Sequence, residues 1–268
     1  MTDSPVLVEP LGGDPRITLI TLNRPDRKNA YTESLCAELC SALRRFEGDD
    51  AARVAVVTGA GDAFCAGGDV RSSEEVDKGE AHPFGHGFIM RDTAHAVVRT
   101  LVGLSKPVVA AVNGAAVAGG LTFALACDLR IATASARLGD TSGRLGLLPD
   151  EGGAWFFPRA MGLEAALRMS LLGEVYSAEQ ARELGLVGEV IADDEFPRAV
   201  TELATRLADA APLAASSVKR IMRRALVAPL DHTLEELAMA VDVVNSSEDV
   251  TEGVAAFLER RPARFRGA

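Results

Sequence analysis

Three stretches of this chain carry residue types that could do chemistry. The first runs from Lys106 to Asp128, KPVVAAVNGAAVAGGLTFALACD. Pro107 to Val112 reads as a short buried strand, Asn113-Gly114 and Gly119-Gly120 break the chain, and LTFALACD reads as the start of a buried helix. A glycine turn into a helix N-terminus leaves backbone N–H groups unpaired, and the helix dipole adds partial positive charge there. Such a place stabilises an anion, either a bound phosphate or an oxyanion formed during reaction. The same glycines would also serve close helix–strand packing alone. The second stretch, GAGDAFCAGGDV, is another glycine turn after a short apolar strand, Val54 to Thr58. The third is the loop DTSGRLGLLPDEGG, which holds Asp140, Asp150 and Glu151.

The elements that must position these stretches alternate between strand and helix. Val6 to Glu9 and Arg16 to Asn23 read as strands joined by a Gly12-Gly13-Asp14 hairpin turn. Thr32 is a plausible N-cap for a helix carrying Leu35, Leu39, Leu43 and Phe46 at helical spacing. Arg71 to Gly87 is polar and reads as a surface segment, and Gly87 to Leu104 reads as one helix. Leu129 to Thr133 and Arg137 to Gly139 read as strands. This alternation predicts an α/β fold with a largely parallel sheet. Beyond the acidic loop the pattern is mostly helical. Ser177-Ala-Glu-Gln180 forms a capping box, Val187 to Ile191 is one further strand, and helices follow at 195–210, 213–227, 231–245 and 248–261. No internal repeat is visible. The division expected is a core over 1–194 and a helical C-terminal region over 195–268.

Composition narrows the partners. The chain has 268 residues and a net charge of −10, which disfavours nucleic acid and anionic membranes as partners. No stretch approaches the ~20 apolar residues of a membrane span, and no apolar signal core opens the chain, so a cytoplasmic protein is expected. Cys36, Cys40, Cys65 and Cys127 are scattered and read as thiols, with no metal-ligand spacing.

Two glycine turns, Phe64-Cys-Ala-Gly-Gly-Asp69 and Asn113 to Gly120, stand in order with NRPDRKNAY (Asn23 to Tyr31), LPDEGGAWFFPR, SAEQARELGLV and EGVAAFLERR. Together these motifs resemble the crotonase superfamily, the enoyl-CoA hydratase/isomerase family, over almost the whole chain. The resemblance implies a crotonase-like spiral of ββα units with a helical C-terminal trimerisation region, a homotrimer or hexamer, and an acyl-CoA thioester substrate. It implies no cofactor beyond the coenzyme A carried by that substrate, and no metal. It places the two oxyanion-hole N–H groups on Gly68 and Gly119, which would polarise the thioester carbonyl and hold an enolate. It lays the coenzyme along Lys28, Ala30, Ala66, Asp69 and Val70, with Phe257 and Arg260 at the nucleotide end. Arg27 and Lys28 could meet its phosphates. His82, His86, His95 and His232 match no catalytic position of the family and read as surface or lid residues.

One departure decides the chemistry. The two glutamates that hydratases of this family use fall on Thr122 and Ser142, and neither hydroxyl can act as a carboxylate near neutral pH. Ser142 is carried as a substrate-side residue. The remaining acids are Asp150 and Glu151, with Asp140 a weaker candidate. The PD-x-GG spacing favours Asp150, and isomerases with an acid directly before Gly-Gly favour Glu151; Asp150 is preferred, although it could instead merely cap the following helix. The resulting expectation is an enoyl-CoA double-bond isomerase using one carboxylate. An atypical hydratase or a thioester hydrolase is the alternative, and a non-catalytic crotonase-fold scaffold is the alternative from another class. Acyl selectivity would rest on residues 71–104 and on Phe84, Phe88, Trp155 and Phe156.

Overall fold

The computed structural model describes residues 4–70 and 86–268. His82, Phe84 and nearly all of the polar surface segment lie outside the described residues. The hairpin is present: β1 (Val6–Pro10) pairs antiparallel with β2 (Ile17–Leu22). The parallel strands β3 (Val54–Gly59), β5 (Val108–Val112), β7 (Leu129–Thr133) and β10 (Glu189–Ile191) extend this sheet in the order β1-β2-β3-β5-β7-β10. A second sheet holds four three-residue strands, β4 (Ala63–Cys65), β6 (Ala115–Val117), β8 (Arg137–Gly139) and β9 (Val175–Ser177), in the order β4-β6-β8-β9.

The two sheets are built by one move made three times. A long strand ends, the chain turns, and a short strand joins the second sheet: β3 into β4, β5 into β6, β7 into β8. Helices then return the chain, Ala94–Gly103 before β5 and Gly119–Ala126 before β7. The repeat is one of topology. Strands of three residues are too short for a sequence period to show, which is why no repeat was visible, why β4 and β6 fell within the glycine turns, and why β9 was not read within the mostly helical stretch. The turns are stacked tightly: a Cβ on Gly114 would lie 2.0 Å from the carbonyl oxygen of Asp62, so only glycine lets one turn rest on the other.

The core lies on both faces of the larger sheet, as the period-2 alternation of its strands requires. Ile20, Leu22, Ala55, Val57, Val108 and Ala110 pack toward the Glu33–Gly48 helix through Leu35, Leu39 and Leu43. On the other face Val54, Val56, Val109, Ala111 and Ile131 meet Phe196, Val200, Ala204 and Ala208 of the Phe196–Ala208 helix. That helix therefore closes the core, although sequence counted it with the C-terminal region. The helices Pro212–Ala225, Leu230–Asn245 and Glu248–Glu259 follow. The first of them is clamped to the core at Asp128. The Asp128 carboxylate accepts from the Val108 N–H at 2.8 Å, from Lys219 Nζ at 2.7 Å and from Arg223 Nη2 at 2.7 Å.

Thr32 caps its helix, accepting from the Leu35 N–H, and the Ser177–Gln180 capping box is formed on both sides. The helix read over 87–104 is two, His86–Asp92 and Ala94–Gly103. Thr93 departs from helical geometry (φ −108°, ψ −102°), and both its N–H and its hydroxyl donate to the Ile89 carbonyl.

Candidate active site

The NRPDRKNAY motif folds around Asn29. Its side-chain oxygen accepts from the Arg24 N–H at 2.8 Å, and its amide nitrogen donates to the carbonyls of Ala60 and Ala63 at 2.9 and 2.7 Å. Lys28 and Asn29 both take left-handed backbone, φ 48° and 55°, which asparagine tolerates better than most residues. The chain beyond then runs beside residues 66–69. Ala66 N–H donates to Lys28, Tyr31 N–H to Gly67 and Asp69 N–H to Tyr31. This pairing sets Tyr31 against Gly68 and leaves the Gly68 N–H with no acceptor among the described residues.

The stretch around Gly119 arrives from β6. Ala118 sits at φ 49° and ψ −125°, a conformation that costs a residue with a Cβ on the order of 1–3 kcal/mol, and its N–H donates to the Gly139 carbonyl. Both glycines that follow are required, for different reasons. A Cβ on Gly120 would lie 2.0 Å from the Cys65 carbonyl oxygen, so this glycine serves helix–strand packing. A Cβ on Gly119 would lie 2.5 Å from Glu151 Oε1 and 2.6 Å from Tyr31 Cε1, so this glycine makes room for functional groups. The packing reading holds for Gly120, and Gly119 is the glycine that lies against Glu151 and Tyr31. The Gly119 N–H, at the first position of its helix, also has no acceptor among the described residues.

Glu151 completes the group. Gly152 follows it at φ 120°, a conformation for glycine, and opens the Gly153–Met161 helix without any side-chain cap. The Glu151 side chain turns inward and is 5% exposed. Its Oε1 accepts from the Tyr31 hydroxyl at 2.7 Å, and its Oε2 has no hydrogen-bond partner among the described residues. Burial pushes its carboxyl up to about 7; the Tyr31 hydrogen bond works against that shift, and the charges of Asp150 and Asp140 add to it. Tyr31 is held well above the ordinary phenol value by burial and by the Glu151 charge, so its hydroxyl remains a donor. Its ring packs against Phe123 with centroids 5.2 Å apart. Three further buried side-chain oxygens lack partners among the described residues, Glu47 Oε2, Thr122 Oγ1 and Asp140 Oδ2, and the last two lie on the segments that build this site. A carboxyl poised near neutrality, against Gly119 and bonded to a tyrosine that also meets Gly68, can exchange protons next to backbone N–H groups that have no acceptor among the described residues.

Residues 13–268 match the sequence model of the enoyl-CoA hydratase/isomerase family. The chain belongs to that family. It is 36% identical to a 1,2-epoxyphenylacetyl-CoA isomerase of Escherichia coli over 94% of this chain and 95% of the relative. It is likewise 36% identical to an (E)-benzylidenesuccinyl-CoA hydratase of Thauera aromatica, over 94% and 96%. A crystal structure of an enoyl-CoA hydratase from Bacillus anthracis superimposes with a TM-score of 0.89 at 30% identity, covering 98% of this chain and all of that one. The fold is the crotonase fold with its helical C-terminal region, and the protein is an enzyme of the hydratase/isomerase type.

Within this family frame, the residues singled out by sequence separate into groups. Gly68, Gly119 and Glu151 come together around Tyr31. Asp150 is half-buried and offers the site its backbone: its carbonyl accepts from His95 Nε2 at 2.6 Å. Asp150 does not cap the following helix. His95 was read as a surface or lid residue and instead braces the acidic loop. Ser142 is buried, and its N–H donates to Asp140 Oδ1. Ala30 and Ala66 line the paired segments, and the Asp69 carboxylate holds Arg24 at 2.8 Å. Lys28 and Val70 are exposed. Phe257 is 82% exposed near the end of the Glu248–Glu259 helix, and Arg260 follows it with left-handed backbone. Tyr31 is the residue of this group that sequence missed. It closes a recognised motif, but its partner Glu151 lies 120 positions away and no spacing links them.

Proposed function

We propose that this enzyme moves a double bond in an enoyl-CoA thioester, using Glu151 as the single proton carrier. The Glu151 carboxylate takes a proton from the α-carbon of a 3-enoyl-CoA. The electrons pass through the double bond system to the thioester oxygen, giving a dienolate held by the N–H groups of Gly68 and Gly119. The same carboxyl returns the proton to the γ-carbon, and the 2-enoyl-CoA results. The observation that carries this reading is one buried carboxyl, pushed up to about 7, with its side chain against Gly119 and one oxygen uncommitted. A base that must also return its proton works best with a pKa near the operating pH. Thr122 and Ser142, at the positions of the hydratase glutamates, supply no carboxylate. Burial, orientation and the Tyr31 contact all favour Glu151 over Asp150 as the acid. Lys28, Ala30, Ala66, Asp69 and Val70 would carry the coenzyme, with Phe257 and Arg260 at its far end.

The test is direct. Glu151→Gln keeps the shape and removes the basicity, and isomerisation of 3-enoyl-CoA is expected to fall by at least ~10²-fold with the chain still folded. Asp150→Asn is expected to change turnover only slightly. Full activity in Glu151→Gln would end this reading. A second reading draws on the unpaired oxygens of Thr122 and Asp140, which could hold a water and favour hydration with Asp140 as the second acid. Formation of 3-hydroxyacyl-CoA from 2-enoyl-CoA, lost in Asp140→Asn, would establish it instead.

A further inference from the structure

Tyr31 has a place in the site that the proton transfer alone does not explain. We infer that Tyr31 is a positioning residue for Glu151: its hydroxyl fixes Oε1 in place and leaves Oε2 as the oxygen that exchanges the proton. The inference rests on the reading of Glu151 as the acid. Geometry carries it. The hydroxyl lies 2.7 Å from Oε1, and its ring is pinned between Phe123 and the Gly119 backbone. The Gly68 backbone closes the other side, since a Cβ there would lie 3.3 Å from the same hydroxyl. The tyrosine thus spans both oxyanion glycines and the acid, and it cannot swing away without displacing one of them. A carboxylate held by one oxygen cannot rotate its reactive oxygen off target, a positioning effect worth up to ~10² in rate.

The titratable groups around the Glu151 carboxyl are Tyr31, Cys36 on the Glu33–Gly48 helix, Cys65 on β4, Asp140 and Asp150 on its own loop, and His95 of the Ala94–Gly103 helix, whose Nε2 donates to the Asp150 carbonyl. Burial holds both thiols high, Cys65 at about 12, so neither ionises in the working range. The two aspartates push the Glu151 carboxyl up, and the Tyr31 hydroxyl is the side chain that favours its ionised form. Replacing that hydroxyl removes a charge-assisted hydrogen bond, so the carboxyl should titrate higher, by about one pH unit.

Tyr31→Phe keeps the ring and its packing. Two measurements on the full chain then decide. Infrared difference spectra against Glu151→Gln follow the carboxyl band of Glu151 through a pH titration, and kcat/KM for 3-enoyl-CoA is followed over the same range. The expected result is a carboxyl midpoint about one unit higher in Tyr31→Phe. The rising limb of kcat/KM should shift with it, and kcat should fall about 10–10²-fold while KM changes little. An identical carboxyl midpoint in the two proteins would overturn the role of Tyr31. A midpoint that moves while the rate limb stays fixed would support the Tyr31 contact and instead remove Glu151 as the working acid.

Discussion

At the scale of single residues, the cost of this site is concentrated in Glu151. Its carboxyl is raised from an ordinary value of 4.5 to about 7 by burial. The folded chain therefore holds the proton more tightly than the unfolded chain does. The stability tied to that proton is fully present below about 4.5 and is lost as pH rises through about 7. Glu151→Gln, which cannot ionise, is expected to be more stable than the parent by ~1–3 kcal/mol at about pH 8 and nearly equal to it at about pH 4. Denaturant midpoints at the two pH values check this, and an equal difference at both would show that the carboxyl is not buried in its charged form. Sequence could mark the acidic loop and both glycines, because glycine turns and acids near Gly-Gly carry local signals. Between Asp150 and Glu151 it preferred Asp150, on spacing alone. That choice depends on which side of the loop faces inward, and the inward side is set by Gly152 and by a tyrosine brought from the start of the chain.

At the scale of elements, the helix that begins at Gly119 is fixed at both ends. Its N-terminus lies against Glu151, and just past its C-terminus Asp128 gathers Lys219, Arg223 and the Val108 N–H. Lys219 is buried there and also donates to the Lys106 carbonyl. Removing one partner of such a cluster strands the other charge. Asp128→Ala is expected to cost about 3 kcal/mol and to loosen the Pro212–Ala225 helix first. Hydrogen exchange would show that helix losing protection before the sheet does, and a uniform loss would argue against a local clamp. Glu33–Gly48 was legible from its period and β5 from its continuous apolar run. Of the three-residue strands of the second sheet, β8 was legible as a strand, and β4, β6 and β9 were not, because they form only where neighbouring turns stack.

At the scale of the whole molecule, the helices beyond Pro212 present Met222, Leu226, Val227, Leu230, Met239 and Phe257 to solvent, each more than 60% exposed. A face of this kind on a single chain fits burial against further copies of itself. Trimers or hexamers are expected, and light scattering at micromolar concentration checks this against the 28.2 kDa of one chain. A uniform 28.2 kDa species would refute it. Among the described residues, no helix is long and apolar enough to cross a membrane.

The threefold strand–turn–strand topology has a consequence for descent. Each step delivers one part of the site: Gly68 follows β4, Gly119 follows β6, and Glu151 lies on the loop that follows β8. On the proposed function, the hole for the thioester and the acid beside it are thus encoded on separate turns. Drift in the third turn can change the reaction while the first two go on recognising the same handle. An isomerase and a hydratase standing at the same 36% identity to this chain is the pattern such an inheritance leaves.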